Sequence, residues 1–449
     1  MSKNISFADG QTITYGERIA AGKALRSIAS RVSHANWKPA QDRVNPMNLL
    51  EESNRTRLPA LVPLRYERMS ISPFTFLRGS AIIMAADLAR TPATGIKVQV
   101  CGDAHVGNFG IYATPERNQV FDMNDFDETL PGAWEWDVKR FATSVMVAGR
   151  VNGFSDADCM QVAYSGVQSY HQHMWNLGGL RYIDAWYTHI NVEDTLRHIH
   201  PNTRAYINRE VAKARRRTSS QVFPKMTAEN NGQYSIKDDP PLITHDYDDE
   251  FIASLPVLLE QYKESLSDDR RVLLSRYHLV DIAQKVVGIG SVGTRCYVML
   301  FLGDDAADPL FLQIKEARPS VLEAHFGASR YPNSGQRVVN GQKLMQGVSD
   351  IFLGWTRSGP HDYYIRQLRD MSLSPSIDGM RVKDLVTYAR FCGWVLARAH
   401  ARSGDAAMIS GYLGKSDAFE KAIASFAKAY ADQTERDFEL FVSTLRADK

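Results

Sequence analysis

Cysteine is scarce: Cys101, Cys159, Cys296 and Cys392 are the only four in 449 residues, and no two form a CxxC pair. That spacing argues against a structural zinc site and gives no disulfide framework, so reduced thiols and a cytoplasmic setting are expected. An excess of one charge is missing too. Lys and Arg number 53 against 51 Asp and Glu, a net of +2, which gives no electrostatic reason to expect nucleic acid or a membrane surface as partner. No stretch approaches about 18 uninterrupted apolar residues. The opening MSKNISFADGQTITYGER has no apolar core of a secretory leader, so neither spanning nor export is expected. Repeats and low-complexity tracts are also absent, which argues against solenoids, propellers and disordered tails.

What is present is 44% hydrophobic and 10% aromatic, enough for a large core. Phe74, Leu77, Ala81, Met84 and Leu88 fall at helical spacing and predict an amphipathic helix over 73–90. KVQVCGD alternates as a strand, and NFGIY and QVFDM, separated by TPERN, predict a β-hairpin. Helical patterns run from Trp134 to about Tyr187 and from Ile252 to Leu266, and again over 382–403 and 415–446, with Gly404 as a C-terminal cap. Between them, QKVVGIGSVGTRCYVMLFLG, DPLFLQIKEA, DIFLGWTR and DYYIRQL are rich in β-branched and aromatic residues. The expected class is α+β.

Three constellations carry chemistry. In Cys101-Gly102-Asp103-Ala104-His105-Val106-Gly107-Asn108 a loop after a strand offers an acid, an imidazole and, five positions past the acid, a carboxamide. Asp103 suits deprotonation of an attacking hydroxyl, with His105 beside it, and Asn108 offers a hard oxygen for Mg²⁺; this is a phosphoryl-transfer layout. In Asp122-Met123-Asn124-Asp125-Phe126-Asp127-Glu128, carboxylates gather without matching cations. Asp125, followed by Phe126, is the best metal ligand, with Asp122 and Asp127 as possible partners. In Gly288-Ile289-Gly290-Ser291-Val292-Gly293, the next residues, TRCYVMLFL, read as strand. A dinucleotide fingerprint needs a helix there, so the run fits a glycine-rich flap over phosphates instead. The following strand then presents Lys315 to the nucleotide in the manner of a V-A-I-K strand, with Glu323 as its leading carboxylate partner and Glu316 as the alternative.

Together, GDAHVGN, NDFDE and PGAWEWDVKR resemble the catalytic loop, metal-binding strand end and following helix of aminoglycoside and choline phosphotransferases, members of the protein-kinase-like superfamily. The resemblance implies that Asp137 hydrogen-bonds back to the catalytic loop. The wider pattern, with LVPLRYERMSISPFTFLRG and HARSGD, is similar to a bacterial family of unknown function grouped with those kinases. Two features depart from the kinase pattern. Cys101 stands where the phosphotransferases usually carry His, and the glycine loop and lysine follow the catalytic loop instead of preceding it.

Circular permutation accounts for that order, because termini that lie close together can be joined and the chain cut elsewhere. The expected organisation is a two-lobed protein-kinase-like fold: an N-terminal helical extension over 1–69, a large helical lobe over 70–280, a small antiparallel β-lobe over 281–372, and C-terminal helices over 373–449 that pack on the large lobe. The expected activity is ATP- and Mg²⁺-dependent phosphoryl transfer to a hydroxyl of a small molecule or protein. Nucleotidyl transfer, a nucleotide-binding pseudokinase and a dinuclear-metal phosphoesterase using HDYDDE (245–250) are the alternatives. The basic run Lys213, Arg215, Arg216 and Arg217 reads as a solvated face ahead of an anion contact.

Overall fold

The computed structural model describes residues 13–193, 204, 208, 211–247, 249–368 and 371–447. The architecture is mixed α+β. Strand β1 (Lys97–Val100) pairs antiparallel with β4 (Leu130–Ala133), and between them β2 (Phe109–Ala113) and β3 (Gln119–Met123) form the expected hairpin. A second hairpin joins β5 (Thr227–Asn230) to β6 (Gln233–Ile236). The remaining strands are β7 (Ile243–Thr244), β8 (His278–Lys285), β9 (Cys296–Leu302), β10 (Pro309–Ala317), β11 (Gly354–Ser358) and β12 (His361–Gln367). They build a six-stranded antiparallel sheet of order β11-β12-β10-β9-β8-β7.

Strands β9 and β10 are buried along their whole length because both faces of the sheet are covered. Tyr297 and Met299 pack with Phe251, Leu255, Leu258 and Tyr262 of the Asp249–Glu264 helix. Their neighbours Val298 and Leu300 point the other way, onto Val222, Phe223 and Ile236. This strict alternation is the two-residue period of a strand. It also moves a boundary: the Ser219–Met226 and Asp249–Glu264 helices cover this sheet, and β8 crosses residue 280, so the expected division at 280 falls inside the sheet layer. Local apolar period alone did not say which neighbour each helix would cover.

The rest of the chain is largely helical. In the Trp134–Val151 helix every residue from Trp134 to Gly149 is buried, enclosed by the helices Asp156–Gly178, Val382–Ser403 and Ala418–Ala447. Such a helix can keep Asp137 and Arg140 inside only if each finds a partner. The helix expected over 73–90 is two, Pro73–Gly79 and Ala81–Leu88, broken at Ser80, where φ is −128° and ψ 41°. All four cysteines are free and buried. Among the described residues no helix is long and apolar enough to cross a membrane. Asp248 of HDYDDE lies outside the described residues.

Candidate active site

The loop after β1 is held from behind. Asp137 accepts the backbone N–H of Cys101 on Oδ2 at 2.7 Å and that of Gly102 on Oδ1 at 2.9 Å. His400 Nε2 lies 3.2 Å from the same carboxylate, and the His400 Nδ1 faces the Tyr170 hydroxyl at 3.0 Å. Gly102 adopts φ +80°, and a Cβ there would lie 2.5 Å from the carbonyl oxygen of Glu128, so the close approach of the two acidic loops requires glycine. Arg140, one turn beyond Asp137 on the same helix face, puts Nε 2.5 Å from Asp103 Oδ1 and donates to the Leu77 carbonyl at 2.8 Å. Burial raises the Asp103 pKa to about 6, against the pull of Arg140 and with help from Asp125 and Glu128.

His105 accepts the Gly107 N–H on Nδ1 at 3.1 Å, which assigns the proton of the neutral ring to Nε2, 3.8 Å from Asp103 Oδ2. Burial, and then the positive charges of Arg78 and Arg140, push its pKa well down, so the ring is neutral. Asn108 donates its amide to the Asp103 carbonyl at 2.8 Å, while its own carbonyl accepts the Asn124 N–H at 2.9 Å. It therefore ties the first loop to the second.

The second loop leaves β3 and meets the large sheet. Lys315 on β10 is 3% exposed, and its Nζ sits 2.6 Å from Asp127 Oδ2 and 3.5 Å from Asp125 Oδ2. Tyr364, directly across on β12, donates to Asp127 Oδ1 at 2.8 Å. Burial would raise the Asp127 pKa, but Lys315 and Tyr364 bring it down to about 2. Burial and the adjacent Asp127 charge instead raise Asp125. Burial opposes the charge on Lys315, and the two carboxylates more than reverse that, keeping it protonated.

The glycine run is the connection between β8 and β9. Gly288 and Gly293 have φ of +63° and +87°, which glycine tolerates without strain. The N-terminal segment holds this loop: Arg68 donates to the Gly288 carbonyl at 2.7 Å, Arg57 to that of Val292 at 2.5 Å, and the Leu58 N–H to that of Gly293 at 2.8 Å. Ser291 donates to Asp127 Oδ2 at 3.3 Å. Asp103, Asp125, Asp127, Gly290 and Ser291 line one cavity of about 490 Å³, within the size range of small-molecule and cofactor sites.

Three expected residues go elsewhere. Asp122 is a strand residue whose carboxylate is closed off by Arg398 at 2.5 Å, the Gly347 N–H at 2.9 Å and the Met123 N–H at 2.8 Å; it is engaged within the core, apart from Asp125 and Asp127. Glu323 lies on a single helical turn, Glu323–Phe326, accepts the Ser320 N–H at 3.2 Å and lies 3.9 Å from Arg337. It does not partner Lys315. Neither does Glu316: consecutive strand residues face opposite sides of the sheet, and Glu316 takes Arg295 and His361. The role assigned to these glutamates belongs to Asp125 and Asp127.

Sequence reasoning missed Arg140, Tyr364 and the arginines of the cavity wall. Arg140 was findable, three residues past Asp137 in a helical run. The cross-strand Lys315–Tyr364 pairing had no local signal. In the basic run, Arg215 bonds Gln119 and Glu193, and Arg217 bonds the Ser372 carbonyl; neither lines the cavity. Among the described residues, no three His, Cys, Asp or Glu side chains gather as a metal-holding group.

Residues 57–444 match the model of a family described as an uncharacterized protein conserved in bacteria, DUF2252. The chain belongs to this family. The matched span contains both acidic loops, the glycine loop and Lys315, so the whole constellation falls within the family region. No curated protein and no solved structure matches the chain.

Proposed function

We propose that this chain is an ATP- and Mg²⁺-dependent phosphotransferase acting on a hydroxyl, built on a circularly permuted, two-lobed protein-kinase-like scaffold. The observation that carries the reading is the position of Lys315, at 2.6 Å from Asp127 and 3.5 Å from Asp125, two carboxylates that line one cavity with Asp103. A buried ammonium held against two metal-competent carboxylates, with a partly ionisable acid on the same cavity wall as those carboxylates, supplies the parts that phosphoryl transfer needs.

The donor set suits a nucleotide with its magnesium. Mg²⁺ takes one or two carboxylates and completes its shell with water and phosphate oxygens, so Asp125 and Asp127, with the amide of Asn108, would hold it. The bound metal would neutralise charge on the phosphates. Lys315 would turn from the carboxylates toward the phosphates, and the Gly288–Gly293 backbone with Ser291 would cover them. Asp103, held in place by Arg140, would orient the acceptor hydroxyl and take its proton. His105, neutral and braced by Gly107, positions the loop and does not move a proton.

The dinuclear phosphoesterase alternative gains no support. His245 is engaged by Asp238 at 2.8 Å and Asp281 at 3.1 Å and does not line the cavity.

The test is thermal stability with ATP, with Mg²⁺ and with both, followed by ATP turnover. Stabilisation by the pair beyond either alone, together with turnover, is expected. A melting temperature unmoved by ATP and Mg²⁺ would sink the proposal.

A further inference from the structure

Cations share the cavity with the carboxylates. Arg57, Arg65, Arg78 and Arg318 all line the cavity. Arg57, beyond its bond to the glycine loop, donates to the Ser53 carbonyl at 3.2 Å. Arg65 bonds the Gly79 carbonyl at 2.7 Å together with Asn54 and Ser53, and its Nε is buried with no partner. Arg318 reaches the Ser53 carbonyl and the Thr56 hydroxyl, both at 3.1 Å. Among the described residues, none of the four guanidiniums is in a salt bridge. Arg78 is the most open case: it stacks over Phe74 at 5.8 Å, its Nε is buried without a hydrogen-bond partner, and it lies beside Asp103 and Gly107.

Glu52, Asp103, Asp125, Asp127, Glu128 and Glu316 share this lining, but the buried Arg78 Nε has no hydrogen-bond partner among the described residues, a cost that an anion seated there would remove. Burial, then mutual repulsion, lowers the pKa of Arg57 to about 8 and of Arg65 to about 10. A planar guanidinium fork with free N–H groups fits phosphate and carboxylate oxygens better than any neutral group. The nucleotide phosphates already have Lys315 and the glycine loop in the proposed function. Arg78 instead lies beside the 103–108 loop, next to Gly107 and Asp103, where the acceptor hydroxyl would sit, whereas Arg57 lies against the glycine loop.

We infer that the acceptor is an anion, a hydroxy compound bearing a phosphate monoester or carboxylate, with Arg78 as the guanidinium that contacts it. This rests on the phosphotransferase reading for the identity of the reaction, and it departs from the resemblance, whose aminoglycoside and choline acceptors are cationic.

The experiment is calorimetric titration of the full chain, loaded with a non-hydrolysable ATP analogue and Mg²⁺, with glycerol 3-phosphate, glycerate and glycerol. Binding of one or both anions at least tenfold tighter than glycerol is expected, and the two anionic arms identify the preferred oxyanion. Arg78→Gln should lose that preference tenfold or more while nucleotide affinity stays within twofold. Arg78→Lys, which keeps the charge and loses the planar fork, serves as the second variant should Arg78→Gln unfold, and should also weaken the preference. Nucleotide binding with no anion preference overturns the anionic acceptor and leaves the phosphotransferase reading standing. Loss of nucleotide affinity in Arg78→Gln, with anion binding intact, also overturns it. Anion binding without nucleotide binding supports the arginine site and removes the kinase reading.

Discussion

Lys315 Nζ lies 2.6 Å from Asp127 Oδ2, although the two residues come from opposite halves of the chain. A lysine this buried keeps its charge only because two carboxylates face it. Lys315→Ala is therefore expected to lower turnover at least about 100-fold, the scale on which loss of a preorganised charge in an active site is felt. Steady-state ATP consumption measures it, and an unimpaired variant would remove the sheet from the proposed site.

Asp103 works as a base only when deprotonated, and its pKa is raised to about 6 by burial. The rate should therefore fall as pH drops below about 6 and level off above it, the sign expected for an essential carboxylate base. Asp103→Asn should cost about 10² to 10⁴ in kcat while nucleotide binding persists. A kcat/KM profile flat from pH 5 to pH 8 would contradict the assignment.

Asp125→Asn should weaken Mg²⁺-dependent stabilisation by ATP, measured against the variant's own metal-free melting temperature. The comparison with Asp103→Asn separates a metal ligand from a base, since only the first should change nucleotide affinity. Reversed outcomes would mean that the two roles are exchanged.

Arg398 and Asp122 form a pair with both side chains almost fully buried. Arg398→Ala leaves a buried carboxylate with no counter-charge, which costs about 3–5 kcal/mol in such settings. Urea unfolding should show the loss as a lower midpoint with an unchanged slope. A change within about 0.5 kcal/mol, the range of ordinary surface substitutions, would show that the Gly347 and Met123 N–H groups suffice.

Local chemistry made the acidic loops, the hairpin between them and the strand bearing Lys315 readable from residue type and spacing. Asp137 was readable too, as the helix acid implied by the resemblance to bond the loop, and it accepts the Cys101 and Gly102 N–H groups. Asp122, Asp125 and Asp127 were indistinguishable at that level, because a run of carboxylates does not reveal which one a distant arginine will claim. Arg398 decided it.

The sequence by itself determined the α+β composition, the strand period that buries alternate residues of β9 on two faces, and the three constellations of reactive groups. Only the tertiary structure decided that Lys315 meets Asp127 and not Glu323, that the Asp249–Glu264 helix covers the sheet, and that four arginines surround one cavity. Spacing along a helix or strand fixes which residues share a face. Long-range partners are set by packing, where a buried charge must find whichever counter-charge the fold brings within reach.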